Sequence, residues 1–252
     1  MPLIAITLIL CLVLTPENVN ATLTVIQPSN ADSEIEKWEP DNKFGGNPRA
    51  YVRSGSLVYV ARIIIQFDLS AIPAGARINS AHLRLYYMQC VIGNPSGRTY
   101  GAYRLTEGWT ETESTWNKRD GVTPWTTAGG VWTAEDFASS IVPPSAEQWM
   151  SWDVTGIVKD WIEDGQPNYG FIVRDQNDGV ASTDASARFY MREYVTEPAL
   201  RPVLEIEYVL PTPVGGIVMP TNKLEILAPY VALAGLVAII SMLAVIRRRP
   251  KA

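Results

Sequence analysis

The chain contains the stretch Ala81-His82-Leu83-Arg84-Leu85-Tyr86-Tyr87, in which apolar and polar side chains alternate. Residues 81, 83, 85 and 87 form one face of this stretch, and His82, Arg84 and Tyr86 form the other. Successive side chains of a β-strand point to opposite sides, so a period of two is typical of a strand with one buried face. The stretch therefore predicts a sheet that covers a core.

The strand pattern extends along the chain on both sides of this stretch. Residues 58–69 predict a central strand, because their middle, Ile63-Ile64-Ile65, is apolar on both faces. Turn-forming residues such as Gly, Pro, Asn and Asp separate the other predicted strands. These strands comprise residues 22–27, 100–106, 149–154, 169–174, 187–191 and 201–208.

One short helix is predicted among the strands. Thr155 is its predicted cap, and four apolar side chains follow on one helical face: Ile157, Val158, Trp161 and Ile162. About eight strands and one small helix over residues 22–210 predict an all-β fold, a jelly-roll-like β-sandwich.

The two ends of the chain predict secretion and anchoring. Residues 1–21 are interpreted as a signal peptide cleaved after Ala21, with an uncleaved apolar N-terminus as the open alternative. Residues 211–225 form a Pro- and Gly-containing spacer before residues 226–246, which carry no charge over 21 positions and predict a transmembrane helix. The basic residues 247–252 would stay in the cytoplasm. We expect a single-pass protein of the cell membrane with its N-terminal domain outside the cell.

Composition and charge exclude several classes of protein. The chain has 252 residues, of which 10% are aromatic and 19% charged, with 18 Gly and 18 Pro. Such a composition argues against disorder and against a helical bundle. Residues 22–246 carry a net charge of −8, which opposes nucleic-acid binding. The predicted mature chain keeps Cys90 alone, so it can form no internal disulfide.

Four blocks of sequence, taken together, resemble the DNRLRE domain, also called carbohydrate-binding module family 96. The blocks are residues 62–76 with 80–86, residues 109–117, residues 152–170, and residues 189–193 with 200–204. The family is similar to archaeal disaggregatase-related surface domains, and the C-terminal pattern resembles archaeal surface anchors. The resemblance implies binding of polysaccharide, since some members bind acidic polysaccharides such as alginate. The module stands without an attached lyase or hydrolase domain, so we expect no enzymatic activity.

Aromatic and basic residues suggest where a sugar would bind. Trp125 and Trp132 flank a Thr- and Gly-rich segment and could stack on sugar rings, or could instead be buried. Arg62 and Arg84 could line a groove for the carboxylates of an acidic sugar, if they share a sheet face. The alternative for both is an ordinary solvent-facing strand arginine. Two further tryptophans, Trp109 and Trp116, are interpreted as anchors of a long loop.

Acidic clusters suggest a metal site. Asp175, Asp178 and Asp184 lie close together in one predicted loop, and oxygen ligands gathered in a turn suit Ca²⁺. A solvated Asp-Gly turn is the alternative. A second acidic run has the same two interpretations and comprises Asp32, Glu34, Glu36, Glu39 and Asp41.

The candidates for catalysis are sparse. Glu111 and Glu113 could form a carboxylate pair, but nothing marks one as buried and the other as solvated. Glu111 is better explained as a hydrogen-bond clasp to a loop backbone, and Tyr190 beside Arg192 is the nearest approach to a lyase base. We expect a carbohydrate-binding or adhesion module. The alternatives are a structural envelope protein without ligand and a polysaccharide-cleaving enzyme.

Overall fold

The computed structural model describes residues 20–56, 58–179, 184–211, 230–234 and 236, with the backbone alone for residues 135 and 136. The chain divides into two units, Met1–Pro211 and Thr212–Ala252. The predicted signal peptide lies outside the described residues except for its last two. The predicted transmembrane helix also lies outside them, except for residues 230–234 and 236, which are helical. Within the described ranges, no helix is long and apolar enough to cross a membrane.

The first unit is built from antiparallel strands, of which eleven lie in its described part. They are β1 Thr22–Ile26, β2 Ala31–Glu36, β3 Arg49–Ser54, β4 Val60–Gln66, β5 Arg77–Ile92, β6 Thr99–Leu105, β7 Trp132–Ile141, β8 Gln148–Asp153, β9 Phe171–Asp175, β10 Ala185–Tyr190 and β11 Val203–Val209. The helix α1, Thr155–Ile162, follows β8, and a 3₁₀ turn, Pro198–Leu200, precedes β11. The predicted all-β sandwich with one short helix is confirmed.

The strands form one hydrogen-bonded path in the order β1-β11-β5-β10-β3-β4-β9-β6-β7, with β2 added to β4 and β8 added to β5. The long strand β5 pairs with β11, β8 and β10 along its length. Strand β4 carries β2 along one edge and both β3 and β9 along the other. At β4, therefore, β2 and β3 lie on opposite sides of one strand.

Two apolar clusters hold the unit together. The larger lies inside the sandwich and contains Ile63, Leu83, Trp152 and Phe189. The smaller covers the opposite face of β4 and β9, and its loop contributes Trp116 and Trp125. Its strand residues include Ile35, Ile64 and Ile172. The central run Ile63-Ile64-Ile65 is buried on both faces, because Ile63 and Ile65 pack in the larger cluster and Ile64 packs in the smaller one.

The helix α1 is attached to β5 at both ends. Thr155 is its first residue and not its cap, because the cap position belongs to Val154, which makes no side-chain cap bond. The Thr155 hydroxyl accepts a hydrogen bond from the Ala81 N–H (2.9 Å), and Glu163 accepts one from the Ile78 N–H (2.7 Å). The first residue of the helix and the residue that follows its end therefore satisfy two backbone donors of β5 with their side chains.

Candidate functional site

Two of the predicted sugar contacts pack against each other. The guanidinium of Arg62 on β4 lies 4.7 Å from the ring centre of Trp116 and 4.9 Å from that of Trp132. Its Nε donates to Asp178 (2.7 Å), and its Nη1 donates to the Gly129 carbonyl (2.6 Å). Arg62 thus holds a loop onto β4, and its charge is already paired.

Asp178, a predicted calcium ligand, belongs to the same buried cluster. It also accepts a hydrogen bond from Arg174 Nε (2.9 Å), and the Arg174 guanidinium lies 5.0 Å from the ring centre of Trp132. Burial alone would raise the pKa of Asp178, but the bonds and charges of Arg174 and Arg62 keep it below its ordinary value. The carboxylate therefore serves as the counter-charge of two arginines.

The remaining tryptophans of this region are anchors. Trp125 is only 4% exposed, and its Nε1 donates to the Thr115 carbonyl (3.0 Å). Of the two interpretations of Trp125, the structure shows the buried one, because the ring packs in the smaller apolar cluster. Trp109 donates to the Tyr169 carbonyl (2.9 Å), as expected of a loop anchor.

The other predicted residues are also paired, in separate places. Arg84 on β5 binds Glu205 (2.6 Å) and lies 5.0 Å over the Trp149 ring, so its partners differ from those of Arg62 on β4. Asp175 binds Arg98 (3.0 Å), and Asp184 accepts the Arg53 Nε (2.9 Å). Each of the three aspartates predicted to bind calcium therefore faces an arginine. They do not converge on a shared cation position.

The acidic side chains that do converge lie elsewhere in the described chain. One oxygen each of Asp32, Glu111 and Glu193 lie within 4.8 Å of one another. Arg192 pairs with both glutamates at 3.1 Å and so supplies a positive charge. Glu111 also accepts the Asp32 N–H (2.9 Å), so it binds the backbone of strand β2 and not the loop backbone that was predicted.

A pocket of about 200 Å³ opens between β2, β3, β10 and the loop of residues 37–48. Its walls carry both signs of charge and two aromatic rings. The lining residues are Glu34, Glu36, Phe44, Asn47, Pro48, Arg49, Tyr51 and Arg188.

Glu34 is the buried acid of this pocket. It is 2% exposed, and its Oε2 accepts the Tyr51 N–H (3.0 Å). Its Oε1 is buried and has no hydrogen-bond partner among the described residues. Burial, followed by the neighbouring Glu36, raises the pKa of Glu34 well above its ordinary value. An unpaired buried acceptor costs about 1–3 kcal/mol, so a ligand that bonds to it would recover that energy.

Arg188 is the matching donor. Its guanidinium lies 4.1 Å over the Tyr51 ring, and its buried Nε has no hydrogen-bond partner among the described residues. Burial and then the charge of Arg49 lower the pKa of Arg188, while Glu34 opposes the shift. Glu34 and Arg188, each with one buried and unpaired polar atom, thus line the same pocket.

A second pocket of about 280 Å³ adjoins the first. It is lined by Glu36, Trp38, Glu39, Phe44, Tyr51, Arg53 and Ile92. The guanidinium of Arg53 lies 4.7 Å over Trp38 and 4.5 Å over Tyr59. Taken together, the two pockets have a volume within the range of small-molecule sites, about 300–1,000 Å³.

The sequence pattern did not predict this site. Glu34 and Glu36 fall in the acidic run interpreted above, and no site was predicted for Arg49 or Arg53. A usable signal was present in Arg49–Ser54, where arginine and tyrosine alternate with small or apolar residues as in a strand.

The comparison with protein-family models matches residues 24–207 to carbohydrate-binding module family 96. The matched range runs from within β1 to within β11, so both pockets lie inside it. The comparison with curated proteins finds no match.

Proposed function

Because the chain belongs to carbohydrate-binding module family 96, we propose that it binds polysaccharide through the pocket of Glu34, Tyr51 and Arg188. The observation that carries this proposal is the pairing of an unsatisfied acceptor, Glu34 Oε1, with an unsatisfied donor, Arg188 Nε, in one pocket. Sugar hydroxyls both donate and accept, so a single sugar ring could satisfy both atoms.

The arginines favour an acidic sugar. Arg188 makes no ion pair among the described residues, and Arg49 beside it is exposed and lines the same pocket. A guanidinium can bind a carboxylate through two parallel hydrogen bonds. Because the net charge of residues 22–246 is −8, attraction of an acidic polymer would depend on these local cations.

We further propose that binding takes place outside the cell. The apolar run of residues 3–14, the uncharged residues 226–246 and the basic residues 247–252 support a secreted domain on a single membrane anchor. A family of carbohydrate-binding modules is non-catalytic in itself. The proposed role is therefore reversible adhesion of the cell surface to polysaccharide, without cleavage.

The test is isothermal titration of the full-length protein in detergent with alginate, polygalacturonate, soluble cellulose derivatives and soluble chitin derivatives. We expect saturable binding to an acidic polymer. Arg188→Gln should weaken it at least tenfold, because it removes a pocket cation and the unpaired Nε donor. Glu34→Gln should also weaken it at least tenfold, because an amide replaces one carboxyl oxygen with an NH₂ group and changes the hydrogen bonds that the pocket offers.

Lys37→Gln is the matched control, since it removes an exposed charge next to β2 that lines neither pocket. It should leave the affinity unchanged. Lack of binding to every polymer by a folded protein, or full affinity in both pocket variants, would overturn the proposal.

A further inference from the structure

The two pockets are adjacent parts of one cleft. They share three lining residues, Glu36, Phe44 and Tyr51. The ring of Tyr51 also carries Arg188 at 4.1 Å, so the shared wall is fixed from the side of the first pocket. A ligand that leaves one pocket along this wall enters the other.

The first pocket offers charge and hydrogen bonds. Its unpaired atoms belong to Glu34 and Arg188, and Arg49 adds a second cation. A buried polar atom is satisfied only by a polar group of the ligand. This pocket therefore selects a sugar unit by its hydroxyl and carboxylate groups.

The second pocket offers rings. Its arginine, Arg53, is occupied, because Asp184 accepts its Nε (2.9 Å) and the hydrogen bond to Asp184 is the main reason that the pKa of Arg53 is raised. The same guanidinium packs over Trp38 and Tyr59 and so fixes the indole in place. A fixed aromatic side chain gains contact at little cost in conformational entropy. This pocket therefore suits the apolar face of a sugar ring.

We propose that the two pockets hold consecutive units of one sugar chain, one by polar bonds beside Glu34 and the next by contact with Trp38. This inference rests on the proposed polysaccharide binding. It assigns Trp38, Arg53 and Ile92 to a second subsite, and it makes a disaccharide the shortest ligand that fills the cleft. When two contacts belong to one ligand, the second contact forms within the complex and does not repeat the entropy cost of bringing two molecules together, so the affinity rises.

The test measures the affinity of the full-length protein for mannuronate oligomers of one to four units. For the wild type, Kd should fall at least tenfold from one unit to two and change less than threefold beyond two. Trp38→Ala should abolish the gain from one unit to two and leave the single unit unaffected. Glu34→Gln should weaken every length.

Trp149→Ala is the matched control, because Trp149 packs on Tyr86 and Arg84 and lines neither pocket. It should keep the wild-type dependence on length. Ile92→Ala, a second variant of the ring-lined pocket, should reduce the same gain if the Trp38 variant fails to fold.

The outcomes separate the two proposals. Absence of binding at every length would overturn the proposed function and this inference with it. Binding that does not depend on length, or a Trp38→Ala variant that loses affinity equally for all lengths, would overturn the two-unit cleft alone. An affinity that continues to rise to four units would also overturn it.

Discussion

Asp178 is a single carboxylate between two buried cations. Its side chain is 4% exposed, and those of Arg62 and Arg174 are 10% and 15% exposed. Removing one partner of a buried ion pair leaves the other charge buried and unpaired, which lowers the free energy of unfolding by about 3–5 kcal/mol. We expect Asp178→Asn to lower the free energy of unfolding by roughly this amount in urea titrations at pH 7.

The comparison for this variant is Glu113→Gln, which breaks an exposed ion pair with Lys43. Surface pairs contribute about 0–1 kcal/mol, so this variant should unfold close to the wild type. Equal stability of both variants would show that the Asp178 cluster contributes little.

Asp32 predicts a dependence of stability on pH. The side chain is 1% exposed, and its burial, together with the charges of Glu193 and Glu111, raises its pKa from 3.8 to about 7 despite a bond from Ser29. Between pH 4 and 7 the unfolded chain gives up this proton before the folded chain does. The free energy of unfolding should therefore fall as pH rises through this range, by up to roughly 4 kcal/mol.

Asp32→Asn removes this titration while the other carboxyl groups remain. Urea titrations between pH 4 and 7.5 should show the stability of the wild type falling relative to that of the variant as pH rises. Parallel curves for the two proteins would contradict the raised pKa.

At the scale of elements, α1 is positioned by side chains rather than by a cap of its own. The hydroxyl of Thr155 accepts a hydrogen bond from the Ala81 N–H of β5. Thr155→Val keeps the shape and leaves this donor unpaired. We expect a loss of about 1–3 kcal/mol in thermal or urea unfolding, with polysaccharide affinity unchanged. An unchanged stability would mean that water replaces the hydroxyl.

Most elements could be predicted from the sequence because alternation was strong. Predicted strands correspond to β1, β4, β5, β6, β8, β9, β10 and β11, with ends displaced by a few residues. Strands β2, β3 and β7 were missed. In β2, Ala31–Glu36, the alternate positions are acidic and not apolar, so the pattern was interpreted as a charged run.

The missed strands explain the missed site. Glu34 and Glu36 are buried where β2 pairs along β4, whereas a charged residue in a sequence is ordinarily solvated. Conversely, Trp132, Arg62 and Asp178 have the chemistry of ligand contacts, but they satisfy one another. The sequence shows which groups are present, and tertiary contacts decide which of them remain unpaired.

At the scale of the whole molecule, the net charge of −8 over residues 22–246 is a total and does not mark a binding face of the sandwich. The arginines of the described part of the sandwich are mostly engaged in ion pairs, and Arg188 is an exception that lines a pocket. The site is therefore defined by what the folded domain leaves unsatisfied, which is a property of the assembled molecule.

The pairing of β1 with β11 has a further consequence. Thr22 stands opposite Tyr208, so the chain enters and leaves the sandwich on neighbouring strands, separated by about 5 Å. A domain with adjacent ends can be spliced into a surface turn of another protein without stretching its host. The same geometry would allow circular permutation, in which the two ends are joined and new ends are opened in another loop. The domain could therefore be transferred to another protein together with its cleft.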